Sequence, residues 1–181
     1  MQRIKLSDWK LCGFWPYTPF LGSSVETQAE LRNVTPWIKA SVPGGIYRDL
    51  QGAGLIEDPF FDTNSLKCEW VANRWWLYET EFAFKRSEAA KRVFLVFKGV
   101  DYKAHFYLNN SSLGTHEGMY TARTFDISEI VQDGGNRLRV LFEHPNRLYG
   151  PDAYPKSPVQ LPLGFFDAAC EYRPVRRGVS L

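Results

Sequence analysis

Apolar and polar residues alternate most regularly between Lys91 and Glu143. Two runs in this segment place apolar residues at every second position, which is the pattern of a strand with one buried and one solvated face. Their apolar positions are Tyr102, Ala104, Phe106 and Leu108 in the first run, and Leu138, Val140 and Phe142 in the second. A third run, Val93 to Phe97, is apolar throughout, and it predicts a strand buried on both faces.

Turn residues separate these runs at 109–112, 116–118 and 132–136. Asparagine, aspartate, serine and glycine favour turns because they bond their own backbone or tolerate positive φ. Short strands separated in this way predict an all-β fold, an antiparallel β-sandwich.

The remaining segments extend this fold. Further strands are predicted at 7–15, 37–42, 74–85 and 173–181. One short helix is predicted between Pro43 and Gly54, with Gly52 or Gly54 at its C-terminal end. Residues 16–36, 55–73 and 145–165 show no clear period and contain prolines or other turn residues, so we expect irregular segments there.

Length and charge restrict the function classes. A chain of 181 residues is expected to form one domain, residues 1–181. Such a chain buries about 70% of its unfolded surface and needs no disulfide or metal to build a core. The net charge is +2, with both signs dispersed along the chain, which argues against nucleic-acid binding. No apolar run is long enough to predict a membrane span.

The cysteines and histidines do not predict a metal site or another cofactor. Cys12, Cys68 and Cys170 are odd in number and far apart, which supports neither a zinc site nor a disulfide framework. The three histidines have no ligand spacing. Unpaired thiols and a start without an apolar signal segment favour a cytoplasmic location. A periplasmic or secreted location stays open if a signal has been removed.

Several sequence blocks occur in an order and spacing that resembles one protein family. They are Val42-Pro43-Gly44, Asp49-Leu50, Gly54 to Phe60, Trp75 to Tyr78, Phe97 to Asp101, Tyr107 to Gly118, Phe125 to Ile127 and Gly135 to Val140. Together they resemble the N-terminal sugar-binding domain of glycoside hydrolase family 2, which includes β-mannosidases, β-galactosidases and β-glucuronidases. The resemblance is nearest to the β-mannosidase branch. Near the end, Arg177, Val179 and Leu181 match the family's closing strand, whereas Pro174 and Val175 depart from it.

This resemblance implies a jelly-roll-like, galactose-binding-domain-like sandwich that belongs to a retaining exo-β-glycosidase. Such enzymes use two carboxylates about 5 Å apart, which in this family lie on a (β/α)₈ barrel of at least about 200 residues. A chain of 181 residues that is filled by a sandwich has no room for that barrel. We therefore expect a non-catalytic domain whose partners are a terminal β-linked sugar and the parent enzyme's own barrel.

Four residues are candidates for substrate binding, and the resemblance implies two of them, Asp167 and Asn64. In the family, an aspartate before the closing strand contacts the sugar. Asp167, beside Phe166, stands in that segment, displaced by a residue and without the tryptophans of the β-mannosidase motif. Asn64 follows Asp58-Pro59-Phe60, a segment that approaches the active-site mouth in the family, and Trp75 could form a sugar platform. The alternatives are an exposed loop carboxylate at 167, a turn asparagine at 64 and core or interface packing of Trp75.

Other interpretations of the sequence stay open. Glu79 and Glu81 share one strand face about 7 Å apart, a separation found in inverting carboxylate pairs; the alternative is two solvated acids. Loop aspartates could hold a structural calcium ion, although no pattern specifies one. The chain could also be an independent carbohydrate-binding module, for which its 15% aromatic content is suited, or a structural or interaction sandwich without sugar binding.

Overall fold

The computed structural model describes residues 3–15, 35–87, 92–143 and 178–180. These residues form ten strands and three short helices. In chain order the elements are β1 (Trp9–Phe14), β2 (Ile38–Ala40), α1 (Ile46–Gly52), α2 (Asn64–Lys67), α3 (Glu69–Ala72), β3 (Trp75–Phe84), β4 (Phe94–Phe97), β5 (Gly99–Asp101), β6 (Lys103–Leu108), β7 (Ser111–Glu117), β8 (Arg123–Asp126), β9 (Gly134–Phe142) and β10 (Gly178–Ser180). A strand lies within each of the four outlying segments predicted to be extended.

Six strands form one antiparallel sheet in the order β2-β1-β3-β9-β6-β7. The pairing of β3 with β9 is the longest, from Trp76 opposite Phe142 to Phe84 opposite Gly134. Two smaller antiparallel pairs, β5 with β10 and β4 with β8, complete the described strands. The smaller pairs and the large sheet contribute to one main core, which confirms the predicted antiparallel β-sandwich.

The main core confirms the inward positions predicted for β6 and β9, whereas Tyr107, on the face of β6 predicted to be solvated, is 4% exposed. Six of the predicted inward side chains are 0% exposed: Ala104, Phe106, Leu108, Leu138, Val140 and Phe142. Ring contacts join the two layers, since Phe106 of the large sheet lies 4.6 Å from Phe97 and 4.9 Å from Phe125, measured between centroids. Tyr102 was predicted to point inward, but it precedes β6 and is 41% exposed, so that part of the prediction is wrong.

The apolar run from Val93 to Phe97 is not buried on both faces, which corrects a second prediction. In β4, Leu95 and Phe97 are buried, whereas Phe94 and Val96 are 49% and 44% exposed. Among the described strands, β4 pairs only with β8. The strand therefore belongs to a small outer layer, whose inward face contacts the core while its other face remains largely open to solvent.

The helical content exceeds the one short helix predicted. Helix α1 confirms that prediction, and Gly54 at φ +70° follows its end, where the Leu55 N–H bonds the Leu50 carbonyl at 2.9 Å. The segment 55–73 was expected to be irregular, but it contains α2 and α3. These helices of four residues each are too short to produce a hydrophobic period, so pattern analysis could not find them.

Two asparagines lock the turns that follow β6 and precede β9. Asn109 and Asn110 adopt φ values of +53° and +93°. The Asn109 amide donates to Asn136 Oδ1 at 2.8 Å, and its own Oδ1 accepts from the Arg137 N–H at 3.0 Å. Asn136, 3% exposed, also accepts from the Gln132 N–H at 2.9 Å. The predicted turns at 109–112 and 132–136 are thus joined by side-chain bonds.

The predicted irregular segment 145–165 lies outside the described residues, as does most of the segment 16–36. Within the ranges that are described, no helix has the length and apolar character needed to cross a membrane.

Candidate functional site

Two of the four residues predicted to contact sugar lie within the described part of the chain, and two lie outside it. Asp167 and Phe166 lie outside the described residues, so their contact with sugar stays a prediction. Asn64 begins α2, and Trp75 begins β3. The structure therefore describes two of the four positions, on separate elements.

Asn64 is a buried hydrogen-bonding residue of the segment before β3. Asn64 is 9% exposed. Its amide nitrogen donates to the Asp58 carbonyl at 3.2 Å, and its Oδ1 accepts from Lys67 Nζ at 3.1 Å. Lys67 Nζ also pairs with Glu57 Oε2 at 2.8 Å. These contacts agree with the turn-asparagine interpretation, whereas sugar contact by Asn64 stays a prediction.

The same segment, which we call the 57–67 loop (Glu57 to Lys67), bonds itself at several points. Asp58 Oδ1 accepts from the Phe60 N–H at 2.9 Å. The Asp58 carbonyl also accepts from the Phe61 N–H at 3.2 Å, and the Phe61 carbonyl accepts from the Asn64 N–H at 3.2 Å. These polar groups bond within the loop. Three of its large apolar side chains are exposed to solvent: Phe60 at 93%, Phe61 at 69% and Leu66 at 64%.

Trp75 and Trp76 point to opposite faces of the large sheet, as strand geometry requires. Trp76 is 0% exposed in the main core, and its Nε1 donates to the Val71 carbonyl at 2.8 Å. Trp75 is 3% exposed and lies on the other face in a second buried cluster with Cys12, Phe14, Leu77, Tyr107 and Leu141. This burial agrees with the packing interpretation of Trp75, and its predicted role as a sugar platform stays a prediction.

Glu79, on the same sheet face as Trp75, is held by cations instead of being solvated. Its side chain is 3% exposed, and it pairs with Lys10 Nζ at 2.8 Å and Arg139 Nε at 2.7 Å. Burial disfavours the carboxylate, but the hydrogen bonds from Lys10 and Arg139 outweigh it and hold the pKa of Glu79 below its ordinary value. Glu81 pairs with Arg137 at 2.8 Å. This arrangement argues against an acid/base pair at Glu79 and Glu81, since a general acid needs a raised pKa.

A second ionic group lies at the end of β9. Glu143 bonds His105 Nε2 and pairs with Lys103 Nζ at 3.0 Å. Burial opposes ionisation of Glu143, but these two partners hold its pKa below the ordinary value. His105 lies between the inward positions Ala104 and Phe106, on the face of β6 that the alternation predicts to be solvated, yet its side chain is only 17% exposed. No cluster of three or more histidine, cysteine or acidic side chains that could hold a metal occurs in the described part of the chain.

Pattern analysis missed Phe60 and Phe61 as functional candidates, because two phenylalanines in an irregular segment carry no period. It also missed Asp49, which is 6% exposed and accepts from the Ser41 N–H at 3.1 Å. Burial raises the pKa of Asp49, and the bond from Ser41 only partly offsets it. The sequence did carry one signal for the burial of Asp49, which is its position beside the apolar residues of α1. Aspartate is rarely buried in proteins, so this signal is easily overlooked.

Comparison with known proteins places the chain among glycosidase domains. A family model described as "Glycosyl hydrolase 2 galactose-binding domain-like" matches residues 23–176. A β-mannosidase from Rattus norvegicus is 40% identical over 108 residues, covering 59% of this chain and 12% of that protein. β-Mannosidase B from Thermothelomyces thermophilus is 29% identical over 120 residues, covering 60% of this chain and 14% of that protein. The chain thus spans a small fraction of these relatives' length.

Solved structures agree with this placement. The β-D-mannosidase from Dictyoglomus thermophilum superposes with a TM-score of 0.66 at 27% identity, covering 80% of this chain and 16% of that one. A β-glucuronidase from an uncultured Clostridium gives a TM-score of 0.56 at 23% identity and covers 78% of this chain and 22% of that one; it supports the fold alone. Because the family model matches most of the sequence, the chain belongs to the galactose-binding domain-like family of glycosyl hydrolase 2.

Proposed function

We propose that the chain is the non-catalytic sugar-binding domain of a retaining exo-β-glycosidase, of β-mannosidase or β-galactosidase type. In this proposal it forms one wall of the substrate pocket of a catalytic barrel, which binds the terminal β-linked sugar of an oligosaccharide or glycoside. The observation that carries the proposal is the 40% identity with a β-mannosidase over 108 residues, within the family match at 23–176.

The carboxyl groups of the described residues support binding without catalysis. Glu79 and Glu143 are each held ionised by two neighbouring side chains, and their pKa values are lowered. Asp49 has a raised pKa, but at 6% exposure inside the fold it is closed to a substrate. A retaining mechanism needs a carboxylate nucleophile and a protonated acid facing the same sugar. These three carboxyls do not offer that pair, and the proposal assigns the chemistry to the barrel.

Hydrolysis assays test the non-catalytic role directly. The 181-residue chain should not release nitrophenol from nitrophenyl β-mannoside or β-galactoside, whereas the longer enzyme encoded by the same reading frame should. Hydrolysis by the chain alone, or a frame that encodes no catalytic domain, would contradict the proposal. Calorimetric titration of the chain with mannosides and galactosides separates an independent binding module, which would show saturable heat, from a wall that binds only in the assembled enzyme.

Asp167 provides the residue-level test in the longer enzyme. Asp167→Asn removes the charge and keeps the size, so we expect kcat/KM to fall by about tenfold or more if the carboxylate bonds a sugar hydroxyl in the transition state. Glu129→Gln, at an exposed acid of the same domain, is the matched control and should change little. Equal effects of the two variants would remove Asp167 from the pocket.

A further inference from the structure

Two exposed tyrosines lie on neighbouring loops at one end of the large sheet. Tyr120, between β7 and β8, is 91% exposed, and Tyr102, directly before β6, is 41% exposed. The Gly118 N–H donates to the Tyr102 carbonyl at 3.0 Å and so joins the two loops. We call Tyr102 together with residues 117–121 the tyrosine loops. Single exposed rings are ordinary on a protein surface, but two rings on loops that are bonded together form a candidate binding site.

The strand pairing places the tyrosine loops at the same end of the sheet as the segment that precedes β3. Trp76, near the start of β3, lies opposite Phe142 of β9, and Phe142 also lies opposite Ala104, near the start of β6. The starts of β3 and β6 therefore share the end of the sheet at which β9 ends. The 57–67 loop, which contains one predicted sugar contact, leads through α3 to the start of β3. The chain continues from the end of β9 toward the other predicted contact, Asp167. Both predicted contacts are thus on segments that join this end of the sheet.

The other exposed side chains of the tyrosine loops are polar. Thr121 is exposed, and its Oγ1 lies 3.4 Å from Nε2 of the half-buried His116. Glu117 is also exposed, and each tyrosine carries a hydroxyl at the edge of its ring. Sugar sites combine aromatic rings with a few polar groups that bond hydroxyls, whereas the centre of a protein interface is depleted of charged residues. The composition of these loops therefore fits an oligosaccharide better than a protein surface.

We propose that Tyr102 and Tyr120 bind the leaving-group part of an oligosaccharide substrate, which consists of the sugars next to the terminal one that is cleaved off. The inference rests on the proposed function, because these sugars belong to the substrate of that enzyme. Contacts with the terminal sugar are predicted on other segments, at Asn64 and Asp167, so the tyrosines are assigned to the sugars that follow it. The enzyme is then expected to prefer an oligosaccharide to a glycoside with a small leaving group.

Kinetics of the longer enzyme on two substrates of the same sugar, mannose or galactose, test this assignment. A β-linked trisaccharide carries the leaving-group sugars, whereas the β-glycosyl fluoride has a single atom in their place. Tyr102→Ala and Tyr120→Ala should each lower kcat/KM for the trisaccharide by about tenfold, the effect of losing an aromatic anchor. Neither variant should change kcat/KM for the fluoride. Phe94→Ala, at a ring that is 49% exposed on β4, is the matched control and should change neither value.

The quantity to compare is the ratio of the two kcat/KM values, trisaccharide over fluoride. This ratio does not depend on the concentration of folded enzyme, so a variant that is partly unfolded still gives a valid result. Tyr120→Phe keeps the ring and removes the hydroxyl. If the ring stacks on the sugar, this variant should retain more of the trisaccharide activity than Tyr120→Ala does.

The outcomes separate this inference from the proposed function. Equal losses on both substrates would mean that the tyrosines support the fold or a contact with another part of the enzyme. Unchanged kinetics on both substrates would mean that the tyrosines do not meet the substrate. Either result overturns the leaving-group site, while hydrolysis of the fluoride upholds the proposed function. A longer enzyme that hydrolyses neither substrate overturns both.

Discussion

Replacing Glu79 with glutamine tests whether the buried ionic group on the large sheet stabilises the fold. Glu79 and Arg139 have side chains only 3% and 11% exposed and lie 2.7 Å apart. Removing one member of a buried pair costs about 3–5 kcal/mol, since the other charge loses a counter-ion in a poorly solvated site. Lys10 is 45% exposed. Its pair with Glu79 therefore contributes little to the free energy of unfolding, because exposed pairs contribute about 0–1 kcal/mol. Glutamine keeps one acceptor oxygen, and we therefore expect a loss of about 3 kcal/mol.

The chain supplies a matched control two positions along the same strand face. Glu81 pairs with Arg137 at 2.8 Å, but its side chain is 60% exposed. Glu81→Gln makes the same chemical change in a solvated pair and should cost about 0–1 kcal/mol. Urea unfolding followed by tryptophan fluorescence at pH 7 gives both free energies of unfolding. A loss below about 1 kcal/mol for Glu79→Gln, or equal losses for both variants, would refute the assignment of a buried pair.

The pH dependence of the free energy of unfolding provides an independent check, because its direction follows from the pKa shift of Glu79. The pKa of Glu79 is lowered from its ordinary 4.5, so the native state favours the ionised form more than the unfolded state does. The stabilisation is therefore present above about pH 4.5 and is lost as the pH falls through the lowered native pKa. The free-energy difference between the wild type and Glu79→Gln should shrink on acidification. A difference that grows in acid would contradict this reasoning.

Three further substitutions probe other parts of the fold by the same unfolding assay. Gly13→Ala would place a Cβ 2.8 Å from the buried ring of Trp76, and we expect a loss of about 1–3 kcal/mol from overpacking; no loss would mean that the ring can move. Asn136→Ala removes a buried side chain that accepts from the Gln132 N–H and from the Asn109 amide and should cost about 1–3 kcal/mol; no loss would show that water replaces these bonds. Burial raises the pKa of Asp49 above its ordinary 3.8, so its ionisation opposes folding as the pH rises. Asp49→Asn should therefore gain stability relative to the wild type as the pH rises above 3.8, and a falling difference would refute the assigned cause.

The alternation of apolar and polar residues correctly predicted β6 and β9, which pair with each other in the large sheet. β6 and β9 contact each other and the main core, so the period in the sequence corresponds to the two faces of one sheet. The burial of β4 on both faces was predicted wrongly, because an apolar run does not reveal whether its strand lies in a central sheet or in a small outer one. The sequence also left open the state of Glu79, whose partner Arg139 is 60 residues away. An acid on an alternating strand looks solvated until its cross-strand neighbours are known.

Apart from Gly54 to Phe60, the blocks that carry the family resemblance contribute mainly to the scaffold, and this explains why they predicted the fold. Asn109 and Asn136 bond each other and the turns beside them, and Val100 and Phe125 lie in the core. Such residues determine how strands are joined, a requirement shared by enzymes that act on different sugars. The exposed rings of the 57–67 loop stand outside that scaffold and are anchored by Asn64. Under the proposed function, sugar specificity is therefore expected from segments that the core does not constrain, of which the predicted contact at residue 167 is one.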